Sequence, residues 1–219
     1  MECIAKQPGI SMVSSGPAIS KPQIRGLGYN RLLTVHDGVR QEGQQWGDEH
    51  GIEIDESSVQ SIEILKGPAS LVYGSDAMAG VIHLLSLMPT PSNTIRSTLT
   101  SSYFTNNHMR SFSGNVAGNK NGYQFGMYGS LKAAGDYRNQ YDGYVFNSKF
   151  NEHNYGAQVG YNGSWGYSHL LMSVFHLNTG MIEGTRNEDG GFIKDLPGGE
   201  TTQPTRTDFL STNPVVPYQ

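Results

Sequence analysis

From Asn93 onward the chain alternates between apolar and polar positions. Tyr123, Phe125, Met127 and Leu131 occupy one parity, with Gly129 among them; Gln124, Gly126, Tyr128, Ser130 and Lys132 occupy the other. A two-residue period held over about nine residues matches the length of a membrane-spanning β-strand. Ile95, Leu99 and Tyr103 against Arg96, Thr98, Thr100 and Ser102 repeat the period more weakly. Tyr155, Ala157, Val159 and Tyr161 against Gln158, Gly160 and Asn162 repeat it again. Phe112 to Ala117 and His169 to Leu177 are predicted strands of ambiguous face, because Leu170, Leu171 and Met172 break the alternation. Turn clusters at Asn106-Asn107, Gly118 to Gly122 and Asn162-Gly163-Ser164 separate the runs. Connections are short at 118–122 and 163–167 and longer at 132–144, the asymmetry expected of a membrane barrel. Residues 180–219 show little periodicity and are predicted to form a long loop.

Before Asn93 the grain is finer. Ile4 to Ile10 predicts the end of a short helix stopped by Pro8 and Gly9. Ile19 to Arg25 predicts a short strand, placed at an edge by Pro22. Leu32 to His36 followed by Asp37-Gly38-Val39 is the clearest hairpin signal. Ser61 to Leu65 predicts a strand, with Ser57 and Ser58 as candidate caps of a helical turn before it. Ala69 to Tyr73 predicts a short helix opened by Pro68, and Val81 to Leu85 a buried strand. This is a small α+β unit. Leu87 to Asn93, with two prolines, reads as the linker and domain boundary.

Composition narrows the class. Only 36% of residues are hydrophobic, while Gly (28) and Tyr (12) are abundant, which suits a barrel needing one apolar face per strand. The net charge of −4, with scattered Arg and Lys, gives no sign of a nucleic-acid partner. Cys3 has no second cysteine to pair with and no metal-ligand spacing around it. No apolar run reaches the length of a transmembrane helix, and Met1 to Lys6 lacks the features of an export signal. Gly26-Leu27-Gly28 fails the dinucleotide fingerprint, and no phosphate loop, zinc-protease motif or nucleophile elbow occurs. Neither catalytic residues nor a resident cofactor or metal are expected. Asn187 to Gly191 lacks the spacing of a calcium loop.

Several motifs in order resemble the plug domain of TonB-dependent outer-membrane receptors. Gln7-Pro8-Gly9-Ile10 looks like the end of the first helical segment, and Ile24-Arg25-Gly26 like the next element. Leu33 to Arg40 is similar to the Asp-Gly strand, Val59 to Gly74 to the Lys-Gly-Pro stretch, and Gly80-Val81-Ile82 to the exit strand. Gln45 to Gly51 looks like a subset found in Bacteroides-type relatives. His36 and His83 depart from the aliphatic and amide residues usual there. The resemblance implies an α+β plug over 1–88 and, over 94–219, the start of an antiparallel all-β barrel of about 22 strands. It also implies a fragment: a signal peptide, TonB contact box and further barrel strands are expected outside this sequence. An open sheet of about five strands would leave edge groups unpaired in lipid, so this polypeptide alone is expected not to span a membrane.

The resemblance implies energised uptake of a scarce nutrient (an iron-siderophore, haem, cobalamin or another metal complex) through the outer membrane of a Gram-negative cell, of Bacteroidetes type. Its partners would be the inner-membrane TonB complex, outer-membrane lipid and the small-molecule or metal-complex ligand. Gln44, Gln45, Trp46, Asp48, Glu49 and His50, on a loop after the Asp-Gly turn, are candidate substrate contacts; packing against wall residues is the plainer alternative. Arg25, Arg40, Glu63 and Lys66 are candidates for locking plug to wall, against a reading as solvated ions worth about 0–1 kcal/mol each. Gly26, Asp37, Gly38, Gly67, Pro68, Tyr73 and Gly74 are read as structural motif positions. Tyr103, Tyr123, Tyr161 and Trp165 are expected at the aromatic girdles. The competing functional class is a secreted, adhesin-like β-rich binding module.

Overall fold

The structure, a computed structural model, describes residues 2–42, 44, 46, 50–86, 90–182, 184–196 and 199–215. The leading part carries two small sheets. A short helix α1 (Glu2–Ala5) precedes β1 (Ile10–Gly16), which pairs antiparallel with β2 (Ile19–Ile24); β2 pairs in turn with β3 (Leu27–Gly28). Pro22 therefore lies on the middle strand, not on the edge strand expected. It is tolerated because β3 pairs only with Gln23 and Ile24, leaving Pro22 a partner strand on one side alone.

The second sheet has the order β5-β4-β7-β6, from β4 (Leu32–His36), β5 (Val39–Arg40), β6 (Val59–Leu65) and β7 (Gly80–Ser86). Asp37 and Gly38, at φ 49° and 83°, form the two-residue turn between β4 and β5 that the Asp-Gly pair predicts. β7 lies parallel to β4 and antiparallel to β6 and is buried on both faces. Ile82 and Leu84 join Ile24, Leu32 and Ile52 in one core cluster, and Val81 joins Leu33, Val35 and Ala77 in the other. Each fully buried aliphatic side chain of this kind contributes about 1.5–3 kcal/mol. Gly80 sits where the backbone approaches β6: an added Cβ would lie 2.5 Å from the Leu65 carbonyl oxygen. A 3₁₀ turn over Gly67–Tyr73 begins with Pro68 in its first turn, as predicted. The turn Glu56–Ser58 is capped by Asp55, whose carboxylate accepts from the Ser57 amide at 3.1 Å; Ser57 and Ser58 are not the cap.

Past Thr90, five long strands form one antiparallel meander: β8 (Thr94–Phe104), β9 (Met109–Lys120), β10 (Tyr123–Ala134), β13 (Phe150–Gly163) and β14 (Gly166–Thr179). Two-residue strands β11 (Arg138–Asn139) and β12 (Gly143–Tyr144) make a hairpin inside the 135–149 connection. The alternation of β10 is realised: Tyr123, Phe125, Met127 and Leu131 are exposed, while Gln124, Gly126 and Ser130 on the other face are buried. Register carries each outward row across the sheet. Ile95, Gly118, Phe125, Val159 and Leu170 make one row, and Leu99, Gly114, Gly129, Tyr155 and Val174 another. The apolar rows are bounded by Lys120, Tyr123, Tyr161 and Ser168 at the short-turn end. Tyr103, Arg110, Asn151 and Asn178 bound them at the long-loop end. Ten residues at about 3.3 Å each, tilted by about 40°, span about 25 Å, the height of a barrel's apolar band. Tyr123 meets Tyr161 at 4.7 Å and Tyr161 stacks near Trp165 at 6.3 Å, forming an aromatic group at the short-turn end.

The long connections fold on themselves. Val145, Phe146 and Phe192 form a third cluster with Tyr137, Ile182 and Phe209 against it. Asp136 and Lys149, both fully buried, pair at 3.3 Å beneath it. The segment past 180 is not unstructured throughout. It contains β15 (Lys194–Asp195), β16 (Thr201–Thr202) and a helix α2 (Arg206–Leu210) opened by a Thr205/Asp208 capping box. Bonds from Lys194 and Thr205 outweigh the partial burial of Asp208 and hold its carboxyl down at about 2.

Candidate functional site: the plug face against the wall

One segment of the leading part reaches the inner face of the five-stranded sheet. The 3₁₀ turn that Asp55 caps delivers Glu56, whose Oε1 lies 2.6 Å from Nζ of Lys132. Lys132 and Glu152 are direct cross-strand partners on β10 and β13, and their charges meet at 3.1 Å. Asn154 Nδ2 donates to Glu152 Oε1 at 2.5 Å and to Ser130 Oγ at 3.3 Å, fixing the wall carboxylate. Burial opposes the charge of Glu56, yet Lys132 prevails and holds its carboxyl below the usual range. Lys132 and Glu152 side chains are each 10% exposed and Glu56 is 65% exposed, so the wall half of this ion triad is the desolvated half. Asp55 Oδ2 is buried without a hydrogen-bond partner among the described residues beside it. Two carboxylates, Glu56 and Glu152, thus meet one ammonium, and the Asp55 carboxylate lies within 4.8 Å of both.

Nearer the short-turn end, a cavity of about 230 Å³ separates plug from wall, lined by His36, Asp37 and Ser86 on one side and Tyr128 and Gln158 on the other. Asp37 grips the end of the exit strand: its carboxylate accepts from the Ser86 amide at 2.8 Å and from Ser86 Oγ at 2.5 Å. His36 Nε2 lies 3.0 Å from Ser86 Oγ. Burial lowers the His36 pKa below the ordinary histidine value, with Asp37 opposing and His83 adding to the shift. A larger cleft of about 1000 Å³ opens towards the long-loop half, between Pro17, Ile52 and Ile54 of the plug and Phe104 and Phe150 of the wall.

The charges singled out in the sequence make their described contacts within the plug. Arg40 pairs with Asp76 at 2.6 Å and Glu42 at 3.2 Å, Glu63 lies 3.8 Å from His83, and Lys66 donates to the Pro8 carbonyl at 2.6 Å. Arg25 is exposed at a positive-φ turn with Gly26. Gly67 and Gly74, at φ 77° and 101°, flank the turn carrying Pro68 and Tyr73. In the loop after Arg40, Gln44 donates to the Gly51 carbonyl at 2.5 Å and His50 meets Glu53 at 2.8 Å. Trp46 packs on the plug's own core. Gln45, Asp48 and Glu49 lie outside the described residues, as do the linker residues 87–89. Glu56, Lys132, Glu152 and Asn154 were not singled out from the sequence; the signal was Lys132 on the polar parity, readable only once β10 is registered against β13.

Residues 1–81 match the TonB-dependent Receptor Plug Domain family. The hemin receptor of Yersinia pestis is 39% identical over 82 residues, covering 37% of this chain and 12% of that protein. The iron-regulated outer membrane virulence protein of Vibrio cholerae is 33% identical over 91 residues, covering 38% and 14%. The chain therefore aligns with only a small part of these relatives. In three dimensions the FrpB iron transporter from Neisseria meningitidis matches 78% of this chain and 28% of its own, with a TM-score of 0.64 at 19% identity, which shows the fold. A sequence matching a TonB-dependent receptor plug domain over residues 1–81, two small sheets built from it and a wall of alternating strands coincide in one polypeptide, whose fold is similar to that of the FrpB iron transporter.

Proposed function

We propose that this chain is the plug, over 1–88, and the first wall strands, over 94–219, of an outer-membrane receptor. The receptor takes up a scarce nutrient at the expense of the inner-membrane proton gradient, relayed by TonB. The carrying observation is the Glu56–Lys132–Glu152 triad, which ties a lumen-side plug turn to a wall whose opposite face is an apolar band. A soluble module has no use for that band. Opening a path requires the triad to break, and Glu56, the solvent-exposed member, is the one that leaves. The relatives named for hemin and iron support an iron complex or haem as cargo, with cobalamin as a further member of the class. Receptors of this kind bind and move cargo and perform no chemistry on it. The Gln45 to Gly51 pattern supports a Bacteroidetes source within the Gram-negative bacteria. The loop carrying Gln44, Trp46 and His50 and the cleft beside Ile52 support cargo contact from the plug side.

The test is uptake. Deleting the gene should abolish proton-gradient-dependent entry of one among hemin, a ferric siderophore and cobalamin, each supplied labelled, and restoring it should recover entry. Unchanged entry of all three would refute the assignment.

A further inference from the structure

Two histidines face outward on adjacent strands. His153 on β13 and His176 on β14 are directly opposite in register, their ring centroids 4.3 Å apart and tilted by 36°. Both belong to the outward parity, in the row of Ser101, Phe112 and Leu131, and both are exposed. That row lies two residues inside the polar boundary row of Tyr103, Arg110, Asn151 and Asn178, at the border between apolar band and water.

The other five histidines are all engaged: His36 with Ser86, His50 with Glu53, His83 with the Gly38 amide, His108 with Tyr103, and His169 with Asn162. Among the described histidines, only the rings of His153 and His176 have no hydrogen-bonding or ionic partner, although the His176 amide donates to Asn154 Oδ1 at 3.1 Å. An imidazole without a partner at an apolar border is costly to keep, since its polar nitrogens lose water and gain nothing. A partner from outside the chain removes that cost.

We infer that His153 and His176 form a two-imidazole site for a divalent transition-metal ion of borderline softness, Cu²⁺ or Zn²⁺. Opposed residues on antiparallel strands hold their Cβ atoms about 4.5–5.5 Å apart. A metal about 2.0 Å from each nitrogen needs the two nitrogens roughly 3 Å apart, within reach of two rings so placed. Imidazole suits these ions, and Mg²⁺ or Ca²⁺, which want oxygen, are excluded by the donor set. Two strands fix the pair before any ion arrives, so little ordering remains to be done on binding. Water or lipid oxygens complete the coordination. The site lies on the opposite side of the wall from the plug and is independent of the cargo.

The chain in detergent micelles, titrated with Cu²⁺ alone, should give an electron paramagnetic resonance spectrum with hyperfine splitting from two nitrogens. His153→Gln or His176→Gln should weaken binding at least about tenfold and leave at most one nitrogen, as loss of a ligand exceeds loss of a supporting contact. His108→Gln and His169→Gln should change neither. A double His153→Gln/His176→Gln chain with unaltered affinity and spectrum would overturn the site. In the unsubstituted chain, Zn²⁺ should protect these two rings from carbethoxylation; equal labelling with and without Zn²⁺ would also overturn it.

Discussion

Lys132 carries more of the plug–wall contact than either carboxylate it serves. Its ammonium is desolvated and lies within 3.1 Å of both Glu56 and Glu152. Removing it strands Glu152 on the wall, and an uncompensated buried charge costs about 3–5 kcal/mol. Lys132→Met is therefore expected to lower thermal stability strongly. Glu56→Gln removes a 65%-exposed partner and is expected to cost at most about 1 kcal/mol. The same Glu56→Gln change should speed hydrogen exchange in the Asp55–Ser58 turn, and equal effects from the two substitutions would contradict this division. His36 supplies the pH dependence. Its folded pKa lies below that of the unfolded chain, so the unfolded state binds the extra proton as pH falls. Plug stability should be constant above about pH 6.5 and decline below it, by at most about 1.4 kcal/mol per pH unit for one such group. Urea midpoints at pH 7.5 and 5.5 check the sign, and His36→Gln should flatten the difference.

At the level of strands, much of the wall was legible and one part was not. β10 and β13 show their faces in the sequence because most inward positions are Gln, Gly, Ser, Asn, Lys or Glu, with Tyr128 and, at the strand ends, Ala134 and Phe150 as the apolar exceptions. β14 does not. Leu170 and Met172 point outward with Val174, while Leu171, Phe175 and Leu177 point inward. Leu171 and Phe175 line the two spaces between plug and wall, so the apolar residues on the inward side of this strand face the plug rather than a watery lumen. Period-two reading assumes a polar interior and fails where a plug fills it. The charge triad was hidden for a related reason: Lys132 and Glu152 are far apart in sequence and become partners only through register. By contrast the Asp37-Gly38 turn and the Pro68 turn are local and were readable. The face assignment can be checked directly. Met127→Lys, in the middle of the outward band, should destabilise the complete receptor proposed above in a bilayer by about 2–4 kcal/mol. Thr98→Lys, inward at nearly the same height, should cost far less. Reversed effects would mean that the sheet presents its other face to lipid.

Across the whole molecule, the plug is held to the wall by a contact of limited strength, and its own core is far stronger. Two clusters of buried aliphatic residues and the double grip of Asp37 on Ser86 keep the plug intact, whereas one partly exposed carboxylate and one Ser58–Tyr128 hydrogen bond tie the Asp55–Ser58 turn to β10. A pull on the plug should therefore detach that turn before it unfolds the sheet beneath. This order of failure separates a plug that moves away from the wall from one that remodels internally while staying attached. It can be tested by replacing the ion pair with a bond that does not yield. In the complete receptor proposed above, in a Cys3→Ser background, Glu56→Cys and Lys132→Cys joined by a short bismaleimide should abolish proton-gradient-dependent uptake while leaving cargo binding at the cell surface unchanged. The same double-cysteine receptor without the linker should transport. Uptake that continues at the unlinked rate after bridging would show that the turn and the wall stay together throughout the cycle, and that the passage opens elsewhere around the plug.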